Sequence, residues 1–240
     1  MKRKIVETED GSKTIHIEDW NETYHSIHGA VQEAFHVFIN NGLNFYKEDK
    51  NQIKILEIGL GTGLNSFITL LEAEKKQQKI VYFGVEKYPV SAEEFEAINY
   101  FEDVFKFYPT LQNRKEEFVA LYQKMYDAEW EKEVGISDFF TFKKIEKDFF
   151  DLTSEDGNDF DLVYFDAFGS QVQPELWEED LLTIVANLTQ ERSIITTYAA
   201  KGSFKRGMKA NGFKIKKYPG PPGKREMMVG FKNFDDEQTV

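Results

Sequence analysis

Four acidic positions and one glycine-rich turn carry the chemistry that this 240-residue chain can do. The turn reads Glu57-Ile58-Gly59-Leu60-Gly61-Thr62-Gly63-Leu64-Asn65. It lies between an apolar stretch suited to a strand and one suited to an amphipathic helix. Glycines there permit a tight turn and let a ligand approach the backbone closely. Glu86 ends the next predicted strand, where a carboxylate can accept two hydrogen bonds from vicinal ribose hydroxyls. Asp148-Phe149 follows a third strand. The acid there can accept from an adenine amine and the ring can stack on the base; a surface acid in an acidic loop with Asp151 is the other reading. Asp166 ends a fourth strand, and open α/β sheets bind ligands beyond the carboxyl ends of their strands. The next predicted helix starts only at Pro174, so Asp166 reads as a site residue rather than a helix cap.

The spacing discriminates between cofactors. A dinucleotide fingerprint is G-x-G-x-x-G. Here the third glycine falls one position early, and Leu64 stands where the fingerprint needs Gly. No Gly-Lys-Ser/Thr follows, so a P-loop is excluded. G-x-G-x-G with Glu57 two residues ahead resembles the S-adenosyl-L-methionine (SAM) turn of class I methyltransferases. A nicotinamide cofactor and a structural turn without ligand are the alternatives. Methyl transfer from a sulfonium needs an in-line nucleophile and removal of a proton, and alignment supplies much of the acceleration.

No Asn/Asp-Pro-Pro-Tyr loop for planar nitrogens is present; the matching stretch reads Asp166-Ala167-Phe168-Gly169. A carboxylate there suits an aliphatic amine, mostly protonated near neutral pH by analogy with lysine at ~10.4. It can hold the ammonium, orient it and take its proton. Its attraction also raises the amine's pKa, so it works by position and not by strong basicity.

The elements that must position these residues follow from periodicity. Strands are predicted at 53–58, 79–86, 141–145, 161–166, 193–198, 213–218 and 226–231. Helices are predicted over 64–76, from a Ser91/Glu94 capping box, over 114–131, over 174–188, and from a Ser203 cap to 210. Asn211-Gly212 ends the last of these, and a Pro/Gly loop, Pro219 to Gly223, joins the final two strands. At the N-terminus, Lys13-Thr14-Ile15-His16-Ile17 alternates like a short hairpin. Val31, Ala34, Phe35, Phe38 and Ile39 then recur at helical spacing until Asn41-Gly42. Strand and helix alternate after residue 50, which predicts an α/β fold with a Rossmann-like parallel sheet and one antiparallel strand near the C-terminus. The whole reads as one domain over 1–240, with residues 1–50 as an extension or lid and 101–140 as a helical insertion. Tyr24, His25, Ser26 and His28 suit either a lid over the ligand or a hydrogen-bonded hairpin. Trp177 reads as a core anchor rather than a base-stacking platform.

Composition narrows the function further. The chain has no cysteine, which excludes disulfides, iron–sulfur clusters, thiolate zinc sites and a Cys nucleophile. His16, His25, His28 and His36 show no metal-ligand spacing, and no metal site is expected. No apolar run is long enough to span a bilayer and no signal-peptide core follows the basic N-terminus, so the cytoplasm is the expected location. A net charge of −12 argues against nonspecific polyanion binding by the whole surface. Residues 201–232 differ, with ten basic residues against one acid, Glu226. They form either solvated faces or a phosphate-facing patch.

Several pieces together resemble one family. They are Asp166-Ala167-Phe168, Pro174-Glu175-Leu176-Trp177, Thr196 to Gly202, Arg206-Gly207-Met208 and Lys224-Arg225-Glu226-Met227. With the glycine turn, Glu86-Lys87-Tyr88-Pro89 and Glu33 to Phe38, they resemble the tRNA 5-aminomethyl-(2-thio)uridine methyltransferases. That family comprises MnmD and the methyltransferase half of bifunctional MnmC. The loop Gly169 to Pro174 departs from the family pattern, where Pro and Asn are expected. The resemblance implies SAM-dependent methylation of the 5-aminomethyl nitrogen of wobble uridine in the tRNA anticodon. It implies Asp166 as the amine-orienting base. Glu57, Gly59, Gly61, Gly63, Asn65, Glu86 and Lys87 would hold the cofactor, with Asp148 and Phe149 at the adenine. Tyr24, Phe168, Lys201, Arg206, Lys224 and Arg225 would face the uridine or its phosphates. An FAD oxidase half is not expected in these 240 residues, so a separate enzyme would supply the aminomethyl substrate.

Two other classes compete. An aminopropyltransferase resembling spermidine synthase shares the glycine turn and an amine-handling Asp, but it would need several acids around the acceptor, and the basic C-terminal segment argues against that. A noncatalytic RNA-binding module is opposed by the intact turn and Asp166.

Overall fold

Short apolar runs bounded by turn residues become strands buried on both faces. The computed structural model describes residues 2–8, 11, 13–24, 29–46 and 50–235. Strands β1 (Arg3–Glu7), β2 (Lys13–Ile17) and β3 (Glu22–Thr23) form a small antiparallel sheet. Helix α1 (Ala30–Ala34) widens into a π-helical stretch, Phe35–Asn40, followed by a 3-10 turn, Leu43–Phe45. Next come β4 (Gln52–Ile58), α2 (Leu64–Lys76), β5 (Lys79–Glu86), α3 (Ala92–Ile98), α4 (Phe101–Lys106) and α5 (Lys115–Asp127). Strands β6 (Val134–Gly135), β7 (Phe140–Glu146) and β8 (Phe160–Phe165) follow. The chain ends with α6 (Glu179–Asn187), β9 (Thr189–Thr197), α7 (Gly202–Ala210), β10 (Lys214–Pro219) and β11 (Glu226–Lys232).

Eight strands form the main sheet in the order β10-β11-β9-β8-β4-β5-β7-β6. Strands β7, β5, β4, β8 and β9 run parallel. Strand β11 is antiparallel to both β9 and β10. This is the expected α/β, Rossmann-like sheet with one reversed strand; the two-residue edge strand β6, also antiparallel, is an addition. Alternate residues serve opposite faces. Ile53 and Ile55 of β4 pack with α1 and α2, whereas Leu56 and Ile58 pack with α6 and α7. From β4 the chain steps outward to β5 and β7, then returns to the other side of β4 as β8. Such a reversal opens a crevice at the carboxyl ends of β4 and β8.

Some boundaries differ from expectation, each for a local reason. The hairpin at 13–17 has a third strand, because β1 pairs with β2 from Arg3 to Glu7. The helix expected over 114–131 stops at Asp127. Ala128 turns extended, Glu131 adopts φ 65°, and Trp130 bridges to Lys144 of β7. Residues 101–139 belong to the crossover from β5 to β7, which runs over 87–139 and includes α3 and β6. The helix expected over 174–188 is broken at Glu178, which is extended and starts α6. Ser203 is not a cap: α7 begins at Gly202, and the Ser203 hydroxyl is buried without a partner among the described residues. The Ser91/Glu94 capping box forms as expected.

Trp177, fully buried, explains how the loop after β8 is held. Its indole N–H donates to the Phe168 carbonyl at 2.8 Å, and its ring meets Phe165, Tyr198 and Phe204 edge-on or tilted. It is a core anchor. Trp177→Phe should keep most of the packing but remove this donor from the Phe168 carbonyl, lowering unfolding free energy by about 1–3 kcal/mol. Urea unfolding checks this, and an unchanged midpoint would show that the bond contributes nothing.

Candidate active site

At the reversal point three elements meet through one side chain. Asn65 opens helix α2, and its amide nitrogen donates to Glu57 Oε1 and to Asp166 Oδ2, both at 2.8 Å. Glu57 is fully buried at the end of β4. Burial first, then the charge of Asp166, pushes its carboxyl well above the usual range. The two carboxyls therefore oppose each other's ionisation across the shared Asn65 amide. Burial also pushes Asp166 up, to about 7, helped by the Glu33 charge and opposed by Asn65 and Lys224. A carboxyl tuned to that range can gain or lose a proton under neutral conditions.

The glycine turn packs against the same loop. Gly59 has φ +94°, and a Cβ there would lie 2.5 Å from the Asp166 carbonyl oxygen. Gly61 has φ +52°, and its N–H donates to Glu86 Oε2 at 2.9 Å. The other Glu86 oxygen accepts the Tyr88 N–H at 2.8 Å. Burial raises the Glu86 carboxyl, while these backbone donors oppose the rise. Each oxygen keeps a lone pair for a hydroxyl donor. Tyr24 lies over the turn, with its ring 3.0 Å from where a Gly61 Cβ would be. It meets Phe168 edge-on, and Trp20 meets Phe168 in the same way. Beyond Glu86, Lys87 pairs with Asp148 at 2.5 Å. That hydrogen bond is the main cause holding the Asp148 carboxyl below its usual range. Phe149 and the exposed Phe150 stand beside them.

A cleft of about 760 Å³ runs from Glu86 past the turn to Asp166 and Lys224. Its lining carboxylates are Glu22, Glu33, Glu86, Asp148, Asp166 and Glu175; its lysines are Lys87 and Lys224. Both lysines are already paired, Lys87 with Asp148 and Lys224 with Glu33. The free character of the cleft is therefore acidic, suited to an ammonium. This overturns the expectation that the basic C-terminal segment would exclude an acid-lined acceptor site. That segment contributes one basic residue, Lys224, to the cleft.

The turn, the Glu86 carboxylate and the Asp148–Phe149 pair match an adenosyl group with a charged tail. Residues 109–233 match the family model described as S-adenosyl-L-methionine-dependent methyltransferase. The chain belongs to this family. Among curated proteins, it is 30% identical over 232 residues to the tRNA 5-methylaminomethyl-2-thiouridine biosynthesis bifunctional protein MnmC of Leptospira borgpetersenii, covering 91% of this chain and 33% of that protein. It is 29% identical over 237 residues to the MnmC of a Marinomonas species, covering 94% and 33%. The chain thus spans about a third of the length of these relatives. Among solved structures, MNMC2 from Aquifex aeolicus aligns with TM-score 0.75 and 21% identity, covering 99% of this chain and 74% of that one. Spermidine synthase from Thermotoga maritima aligns with TM-score 0.54 and 12% identity, covering 98% and 74%. These two likenesses show a shared fold.

The methyltransferase places most of the expected residues together. Tyr24, Gly59, Gly61, Glu86, Lys87, Asp148, Phe149, Asp166, Phe168 and Lys224 line the cleft, and Glu57 and Asn65 stand behind Asp166. Gly63 faces away, into a small apolar space with Tyr122 and Met125. Lys201, Arg206 and Arg225 are not among the lining residues. Lys201 pairs with Glu178 at 3.6 Å, and Arg206 and Arg225 are exposed. His25, Ser26 and His28 lie outside the described residues. Sequence reasoning assigned no role to Glu33. The signal was present: an acid that shares the apolar stripe of Ala30, Ala34 and Val37 must have a partner or a task. Tyr198 and Glu22 carried no comparable signal.

The raised Asp166 carboxyl has a stability consequence. A group whose folded pKa lies above its ordinary 3.8 favours folding fully below that value, and this contribution is lost as pH rises to about 7. Asp166→Asn should therefore raise the Tm at pH 8, with the gain shrinking below pH 7 and vanishing near pH 4. A Tm difference independent of pH would show that Asp166 titrates normally.

Proposed function

We propose that this methyltransferase methylates the 5-aminomethyl nitrogen of wobble 5-aminomethyl-(2-thio)uridine in the tRNA anticodon, giving 5-methylaminomethyl-(2-thio)uridine. One observation carries the reading: a carboxyl tuned to about 7, fixed by Asn65 next to the SAM turn, faces an acid-lined cleft. Such a cleft suits a primary alkylammonium. The similarity to MnmC proteins of tRNA 5-methylaminomethyl-2-thiouridine biosynthesis supplies the RNA context. The 240 residues act as one methyltransferase unit in the cytoplasm, and a separate activity supplies the aminomethyl-uridine.

When bound, SAM supplies an electrophilic methyl group on a sulfonium sulfur. Glu86 would accept from the ribose hydroxyls, the Gly59–Gly61 backbone would face the tail, and Asp148 and Phe149 would flank the adenine. Tyr24 covers the turn and excludes water. Asp166 holds the incoming ammonium, removes one proton and leaves the nitrogen lone pair aligned with the methyl carbon. The new C–N bond would replace the donor's C–S bond, which would leave the sulfur as a neutral thioether. The product leaves as a secondary ammonium, and the proton on Asp166 passes to solvent. Arg206 and Arg225, exposed on α7 and before β11, contact tRNA phosphates.

Mass spectrometry of nucleosides from aminomethyl-uridine tRNA incubated with protein and labelled SAM tests the reading; no labelled methylaminomethyl nucleoside would end it. kcat/KM should rise with pH through an inflection near 7 as Asp166 ionises. Asp166→Asn should nearly abolish turnover while SAM affinity stays within several-fold by calorimetry. A variant with normal turnover would remove Asp166 as the base. Arg206→Ala with Arg225→Ala should reduce the slope of log K against log salt for tRNA by about 2, and an unchanged slope would take them out of the interface. The acid-lined cleft also suits a polyamine, so putrescine with decarboxylated SAM is the control; spermidine formation would favour aminopropyl transfer.

A further inference from the structure

Helix α1 carries a carboxylate where its apolar stripe should continue. Glu33 is 8% exposed, sits among Ala30, Val31 and Ala34, and lines the same cleft as Asp166. Acids are almost never so buried unless paired. Its partner is the Lys224 ammonium, delivered by the end of the Pro219 to Gly223 loop. Lys224 Nζ also stands 4.1 Å from the centre of the Tyr198 ring. A carboxylate and an aromatic face together are a recognition site for an alkylammonium.

The two halves of this site differ in how they are held. On the Glu33 side, Thr196 of β9 donates to the Val37 carbonyl at 3.0 Å, and Tyr198 donates to the Ala167 carbonyl at 2.9 Å. The first ties the segment after α1 to the sheet, and the second holds the ring to the loop after β8. On the other side, Lys224 is a flexible stem on a Pro/Gly loop. Two backbone bonds close that loop, Lys224 N–H to Pro221 O at 2.9 Å and Gly220 N–H to Arg225 O at 3.2 Å. Glu33 and the ring are thus placed by helix and strand, whereas the Lys224 ammonium sits at the end of a long side chain.

We propose that Glu33 and Tyr198 form the binding site for the acceptor's ammonium, and that Lys224 fills it with its own ammonium until the acceptor displaces it. This rests on the amine-methylation reading above. Exchange of one ammonium for another keeps Glu33 neutralised while the acceptor binds, so the buried carboxylate is not stripped of a partner on entry. Asp166, on the same wall, then takes the proton.

The test follows Lys224 itself. Protein carrying 13C at the lysine Cε positions is titrated with n-butylammonium, with n-butanol as the neutral control, and Lys224→Met assigns the resonance. Butylammonium should move the Lys224 signal toward that of an unpaired lysine, and butanol should not. Lys224→Met should bind butylammonium about tenfold more tightly than wild type, and Glu33→Gln about tenfold more weakly. Glu33→Gln should also raise KM for aminomethyl-uridine tRNA about tenfold while leaving SAM binding unchanged. A Lys224 signal unmoved by saturating butylammonium, or a wild-type KM in Glu33→Gln, overturns the exchange. If wild type methylates no aminomethyl-uridine tRNA yet Lys224 yields to butylammonium, the RNA substrate is wrong and the ammonium site stands.

Discussion

A buried carboxyl and one on the cleft wall share a single amide, and the active region is arranged around that constraint. Burial of Glu57 and the Asp166 charge beside it both push the Glu57 carboxyl up, so the two acids disfavour each other's ionisation. Asn65 donates to each, so strand β4, helix α2 and the loop after β8 are tied by one side chain. Backbone bonds reinforce the tie: the Asp166 N–H donates to Ile58 at 2.9 Å, and the Gly59 and Leu60 N–H groups donate to Val85 at 3.1 and 2.9 Å. The glycine turn is thus held to both neighbouring strands before any ligand binds. Preorganisation of this kind spares the reaction the cost of assembling its own environment.

Charge is separated in the molecule by task. The body is acidic and its cleft is lined by carboxylates, while the bases of the C-terminal segment lie on α7, β10 and the loop before β11. Read as a list of residues, that segment argues against an acidic acceptor pocket. Read in space, it does not bear on the pocket at all, apart from Lys224. Sequence density of one sign of charge says little about which wall of a cleft a side chain reaches.

What was legible in the sequence was periodic or local. The strands that flank the cleft, the glycine turn, Glu86 at a strand end and Asp166 at another all follow from apolar runs and from the rule that α/β sheets bind at their carboxyl edge. The Ser91 capping box needed only four residues. What escaped was set by tertiary contact. The helix through residue 131 is cut because Trp130 finds Lys144 across the fold. Ser203 looked like a cap because its type fits, yet α7 starts one residue earlier. The link between Glu33 and Lys224 spans 191 positions, and local pattern cannot reach that far.

Strand β11 runs against its neighbours, and so it begins where they finish. Its first residues pair beyond Thr197, the last residue of β9. A strand of this length laid the other way would set its entry loop some ~20 Å off, at the opposite rim. Reversal therefore acts as a delivery route: the hairpin out along β10 and back along β11 brings a late stretch of chain to the edge where the early glycines already wait. One inverted strand turns a nucleotide-type sheet, open on that side, into a vessel with a second wall.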